Sequence, residues 1–317
     1  MFIKKELRKE PPKHYRTRAN QVLPNQLIMI SRRTSEGRFF IKPGKKNNQI
    51  LEFCLAAAAL KHGLKVHNYS FMPNHYHLLL TDVYGNYPCF LADMNRNIAK
   101  CFNVSLERFD SLWDSSKPSV VRLPNHVVPV KAKLMYIFMN PVKALLSPRA
   151  RKYLGANSLP GDLAGHSKVI KRPKVYFKKE SKLPKKVRLK IEMPEALLKF
   201  TDKKSMVKLL KEDLLKAEDD IIAKYGKNTF MSKRELLKTD PESKPKKDIE
   251  RFKLNPKVAG VVSELIAAEK SKLVDFLRAY EKSFQRWQLG ERDVYFPAGT
   301  YEMARLHKVR VRQFDSS

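Results

Sequence analysis

Residues Ser70 to Leu80 read Ser-Phe-Met-Pro-Asn-His-Tyr-His-Leu-Leu-Leu, and no other stretch constrains the fold as much. Pro73-Asn74 is a turn signal that runs straight into a short apolar strand. In a strand, residues two apart point to the same face. His75 and His77 therefore stand side by side, with Tyr76 on the opposite face. Two imidazoles on one face of a strand are a ready pair of metal ligands. The same pair also occurs as half-buried histidines hydrogen-bonded within a sheet, and the motif alone leaves both readings open.

The flanking pattern supplies a topology. Leu27-Ile28-Met29-Ile30 reads as a buried strand. A helix follows through Ile50, Leu51, Phe53 and Ala56–Ala59 to His62, capped by Asn47 or Asn48 and stopped by Gly63. Leu64–Phe71 alternates as a strand, with Leu64, Val66, Asn68 and Ser70 on one side, and pairs across Pro73-Asn74 with His75–Thr81. A second helix is expected over Phe90–Phe109 and a short strand over Ser119–Leu123. The order β-α-β-β-α-β predicts an α+β fold with a ferredoxin-like antiparallel sheet. A third helix, Val130–Met139, is expected to end at Asn140-Pro141, because the residue before proline leaves α geometry. Tyr136 and Asn140, four apart, share a face of it.

Charge narrows the function classes. The 317 residues carry 64 Lys+Arg against 32 Asp+Glu, a formal +32, which calls for a polyanionic partner such as nucleic acid. An anionic membrane surface is the rival, but no apolar run approaches the ~20 residues that span a bilayer, and no signal segment opens the chain. Cys54, Cys89 and Cys101 form no C-x-x-C pair, which argues against a disulfide framework or zinc knuckle and for a cytoplasmic protein, nucleoid-associated if bacterial. His67, His126 and His166 have no partner pattern, and His62 suits a helix C-terminus.

Met72-Pro73-Asn74-His75-Tyr76-His77-Leu78-Leu79-Leu80 and, downstream, Tyr136-Ile137-Phe138-Met139-Asn140-Pro141-Val142-Lys143-Ala144 together resemble the single-tyrosine HUH transposases, and among them the REP-associated tyrosine transposases. Leu112-Trp113 and Ile30-Ser31-Arg32-Arg33 are similar to the family as well. The resemblance covers Pro24 to about Arg149. More softly, Asn255–Ala259 and Gly290–Met303 look like the tail of longer members. Tyr76 departs from it, taking a position more often aliphatic. The resemblance implies a divalent metal, Mg²⁺ or Mn²⁺, held by His75, His77 and Asn140, although ligand preference alone also admits zinc. It implies Tyr136 as the nucleophile of a metal-dependent cleavage and strand transfer of single-stranded DNA near a hairpin, through a 5′-phosphotyrosine. Lys133, Lys143 and the metal are expected to lower the phenol pKa. A repeat-processing nuclease that does not mobilise itself, or an inactive nucleic-acid-binding protein, are the alternatives.

Three regions are expected: a basic arm (1–24), a catalytic domain (25–150) and a basic, mainly helical accessory region (165–317). The arm is either a phosphate-contacting tail or a mobile terminus. Gly165–Lys190 is linker-like and strongly basic, with Tyr176 and Phe177 interleaved. It suits either a single-strand groove with stacking or a solvated linker. Helices are expected over Pro194–Lys224 and Val258–Trp287. Besides Tyr136, His75, His77 and Asn140, the residues expected to meet DNA are Arg32, Arg33, Arg38, Lys143, Lys171, Arg172 and Lys174. A homodimer, with Tyr136 meeting the histidines of its own or a partner chain, is left open.

Overall fold

A computed structural model of the protein describes residues 17–178, 180–245 and 257–314. Most of the expected basic arm, and Asn255-Pro256, lie outside the described residues. The chain forms two compact units, one spanning Pro24–Lys270, the other combining Met1–Leu23 with Ser271–Ser317.

The first unit opens with β1 (Gln26–Arg33), α1 (Lys45–His62), β2 (Leu64–Met72), β3 (His75–Asp82), α2 (Tyr87–Ser105) and β4 (Ser119–Arg122). The four strands form one antiparallel sheet in the order β2-β3-β1-β4. This is the ferredoxin-like α+β arrangement. α1 and α2 cover the Tyr76 face: the Tyr69 hydroxyl donates to Glu52 of α1 at 2.8 Å and the Tyr76 hydroxyl to Asn95 of α2 at 2.9 Å. Next come α3 (Val127–Phe138) and α4 (Asn140–Lys143), the basic ribbon β5 (Ser167–Lys171) and β6 (Lys186–Lys190), and then α5 (Glu195–Leu198), α6 (Lys203–Tyr225) and α7 (Lys233–Lys238).

Helix ends differ from the sequence expectation for local reasons. α1 starts at Lys45 after Gly44, because both candidate caps are engaged elsewhere: Asn47 donates to the Lys42 carbonyl and Asn48 to that of Leu154. Gly63 does close α1, with φ 69°, where its lack of a Cβ is needed. α2 begins three residues early because Asp82 accepts from the backbone N–H groups of Asn86 and Tyr87 at 2.7 and 2.8 Å, satisfying donors that a helix start leaves free. The imidazole of His126 accepts from Val128 N–H at the start of α3. α3 does end before Asn140-Pro141, at Phe138, one residue short of the expected Met139, but Asn140 does not leave helical geometry. Met139 makes a turn, and α4 follows with Pro141 in its first turn, where a missing N–H costs nothing.

One departure matters for the site. The β2–β3 register shifts between Val66 and Asn68, a bulge centred on His67. Leu64 and Val66 pair opposite Asp82 and Leu80, on the Tyr76 face, whereas Asn68, Ser70 and Met72 pair opposite Leu79, His77 and His75. The simple alternation read from the sequence is thus broken in mid-strand, since one extra residue reverses every side chain beyond it.

Gly165–Lys190, expected as a linker, instead carries the antiparallel β5–β6 ribbon at its two ends. The second unit contains most of α8 (Ser263–Gln288), the short parallel strands β7 (Tyr295–Phe296) and β8 (Arg310–Val311), and α9 (Glu302–His307). Its core is Phe276, Tyr280, Phe284, Val294, Phe296 and Met303. Residues 20–22 pair with 299–301, Val22 N–H donating to Gly299 at 2.8 Å.

Candidate active site

His75 and His77 stand on one face of β3 with ring centroids 5.0 Å apart. α3 packs on that face. Its Tyr136 ring lies edge-on to His77 at 5.3 Å and is 39% exposed, so its hydroxyl belongs to a side chain that solvent and substrate can reach. Asn68 pins α3 here. Fully buried beyond the bulge, it donates to the Leu134 carbonyl of α3 at 3.2 Å and accepts from Ser158 at 2.6 Å. Without the register shift, Asn68 would face away from α3.

Each histidine is oriented through Nδ1. His75 Nδ1 lies 2.7 Å from Asn74 Oδ1. Asn74 Nδ2 donates to the Gly37 carbonyl at 3.1 Å, and a carbonyl only accepts, so Oδ1 is the end that faces His75. His75 Nδ1 must then carry the proton, and its Nε2 has the lone pair. His77 Nδ1 lies 2.6 Å from the Ser31 hydroxyl. Hydrogen bonds of this kind fix the ring of a metal-ligating histidine. Gly37, with φ 70°, completes the support: a Cβ there would meet Arg33 Nη2 at 2.9 Å.

The electrostatics favour neutral imidazoles. Burial, assisted by Arg33, pushes His75 down to about 4. Burial, with His75 and Lys133, holds His77 well below its ordinary value. For Tyr136 the outcome differs from the sequence expectation, because burial raises its phenol pKa. Lys133 Nζ and Lys143 Nζ do sit over the ring, 5.6 and 6.0 Å from its centroid, and burial lowers the pKa of Lys133 itself.

Asn140 begins α4, one turn past Tyr136. Its Nδ2 is buried and has no hydrogen-bond partner among the described residues. The amide oxygen and nitrogen exchange by a half-turn of the side chain, so either can occupy this position. No group of three His, Cys, Asp or Glu side chains able to hold a metal exists among the described residues. The two imidazoles side by side on β3 are donors that fit a divalent cation, with coordination positions left for other ligands.

The remaining expected DNA contacts separate. Arg33 pairs opposite His75 on the site face. Arg32 pairs opposite Tyr76 and lies 5.4 Å over the Trp113 ring on the other face. Arg38 is held by Glu36 and Glu242 at 3.2 and 2.6 Å. Arg172 spends its guanidinium on the Ser181 and Leu183 carbonyls. Lys171 and Lys174 are exposed, outside this site. Sequence reading passed over Asn68, Asn74 and Ser31. Asn74 adjoins the histidine pair, but the role of Asn68 depends on a bulge that carries no local signal.

No protein-family model matches the chain, and no curated protein does. Among solved structures it is similar to a REP-associated tyrosine transposase bound to a REP hairpin, at 10% identity over 47% of this chain and 85% of that one, with a TM-score of 0.37. It is also similar to an inferred transposase from Deinococcus radiodurans R1, at 16% identity over 33% and 84%, with a TM-score of 0.26. At these scores the chemistry has to be argued from this chain's own residues. No helix among the described residues is long and apolar enough to cross a membrane.

Proposed function

We propose that the protein is a DNA transesterase of the HUH transposase type, cleaving and rejoining single-stranded DNA near a hairpin. The observation that carries this is the convergence of Tyr136 on the His75–His77 face, with both Nε2 atoms and Asn140 Nδ2 lacking partners among the described residues. Tyr136 Oη forms a bond to the scissile phosphorus as the P–O3′ bond breaks. The phenol proton passes to solvent, and the departing oxygen takes up a proton to become a 3′-hydroxyl. The product is a 5′-phosphotyrosine. A second 3′-hydroxyl reverses the step, restoring the phenol and joining strands without ATP.

His75, His77 and Asn140 would hold Mg²⁺ or Mn²⁺, which supplies Lewis-acid polarisation of the phosphate. The protein's own contribution is positioning. Asn74 and Ser31 aim the imidazoles, and Asn68 sets α3 against the sheet. Lys133 and Lys143 put positive charge beside the phenol, favouring phenolate against the burial that opposes it. Arg33, opposite His75 on the neighbouring strand, is placed to take a phosphate oxygen.

Incubation with labelled single-stranded DNA and Mg²⁺ or Mn²⁺ tests the reading by the covalent adduct. Tyr136→Phe should abolish the adduct while leaving the fold and DNA affinity unchanged, and His75→Ala should lower it strongly. An adduct that survives Tyr136→Phe moves the nucleophile elsewhere. Tight DNA binding with no adduct under either metal supports an inactive binding protein instead.

A further inference from the structure

The β5–β6 ribbon has two unlike faces. Pairing sets Ser167 opposite Lys190, Val169 opposite Arg188 and Lys171 opposite Lys186. Ile170, Val187 and Leu189, which face inward, are buried. The one inward lysine, Lys168, is neutralised: its ammonium pairs with Glu52 of α1 and lies 5.6 Å over the Tyr69 ring. The outward positions Lys171, Lys186, Arg188 and Lys190 are all exposed. Among the described residues only Lys190 has an acidic neighbour, Glu192 at 3.5 Å.

A lone surface lysine is ordinary. Four like charges on two paired strands repel one another at close quarters, about 6.8 Å apart along a strand and 4.8 Å across, and a protein-internal partner would relieve that repulsion. Among the described residues the fold provides one for Lys168 and none for Lys171, Lys186 or Arg188. The spacing suits a polyanion with closely repeated charge. DNA carries one negative charge per 3.4 Å of axis on each strand, and neutralising several phosphates releases counterions. The outer face also lacks aromatic side chains, Val169 being its one apolar member. Single-strand grooves stack unpaired bases on aromatics, and this face has none.

We infer that the outer face of the β5–β6 ribbon is a phosphate-binding surface for the backbone of duplex DNA, gripping a paired stem while the histidine face acts on unpaired DNA. This rests on the DNA reading above. The ribbon contacts are independent of base sequence, since phosphate contacts position and base contacts specify.

The test uses the full chain with Lys186→Gln, Arg188→Gln and Lys190→Gln combined. Lys203→Gln, Lys204→Gln and Lys211→Gln, exposed on α6, form a second variant with the same loss of charge. Binding of a labelled DNA hairpin and of an unstructured single strand is titrated at several salt concentrations. For the ribbon variant the slope of log affinity against log salt should fall by about 2.7 for the hairpin, three phosphate contacts at about 0.9 each. Affinity for, and adduct yield with, the single strand should not change, and the α6 variant should retain the wild-type hairpin slope. An unchanged hairpin slope in the ribbon variant, an equal loss on both DNAs, or an equal loss in the α6 variant overturns the inference. So does a loss confined to anionic vesicles. Failure of wild-type protein to form any adduct would sink the transesterase reading and leave the hairpin slopes to judge the ribbon separately.

Discussion

The two faces of β3 are built from the same eight residues and behave oppositely. On one, Tyr76 is wholly buried, edge-on to Trp113 at 5.5 Å and tilted to Phe71 at 5.6 Å, with its hydroxyl on Asn95. On the other, the Nε2 atoms of His75 and His77 and the Tyr136 hydroxyl have no hydrogen-bond partner among the described residues. Buried polar atoms are normally satisfied. The Tyr76 face is not free of such atoms either, since Asn95 Nδ2 and Arg32 Nε lack partners among the described residues. What separates the faces is close aromatic packing on one against the partly exposed His75 and Tyr136 on the other, a reactive surface on a rigid support.

Tyr76→Ala should therefore act on stability. It removes a packed aromatic and its hydroxyl bond, and the loss should reach about 3–5 kcal/mol, read by urea unfolding. A loss under about 1 kcal/mol would show that the Tyr76 face is not the supporting one.

His67, at the bulge, gives a pH-dependent version of the contrast. It is held between the Glu192 carbonyl at 2.7 Å and the Thr81 hydroxyl at 2.8 Å. Burial pushes its pKa down to about 4, against about 6.5 in the unfolded chain. Between those values the unfolded chain binds more proton, so His67 favours the fold above pH 6.5 and loses that contribution as pH falls toward 4. At pH 5 the loss is about 2 kcal/mol. His67→Gln, which can make both hydrogen bonds without titrating, should flatten this part of the acid slope, measured by thermal unfolding from pH 7 to 5. An unaltered slope would place the acid sensitivity elsewhere.

On the histidine face the effects should appear in ligation and leave stability nearly intact. Asn74→Ala frees the His75 ring, and Mn²⁺ affinity measured by calorimetry should fall about 10-fold to 100-fold, with little change in Tm. A large Tm loss with unchanged Mn²⁺ affinity would make Asn74 a structural residue of the turn. The smallest effect belongs to Lys143→Gln. Its ammonium is exposed, 6.0 Å from the Tyr136 ring, and its removal should slow adduct formation only a few-fold, most visibly at low salt where exposed charge is least screened.

The sequence by itself determined the order of strands and helices, the turn at Pro73-Asn74, and the opposed directions of Tyr76 and the two histidines. These are local matters: a period of two, a proline, a glycine at φ 69° after α1. The charged stretch after Gly165 hid a legible signal. Val187, Leu189, Ile191 and Met193 alternate with polar residues, and that pattern, rather than the charge, governs how the ribbon folds. Only the tertiary structure decided the rest. The bulge at His67 turns Asn68 toward α3, Glu52 neutralises Lys168 but nothing among the described residues neutralises Arg188, and Arg32 and Arg33, adjacent in sequence, go to opposite faces of the sheet. Each of these depends on which distant backbone or side chain lies within hydrogen-bond reach, and residue types and their spacing do not carry that information.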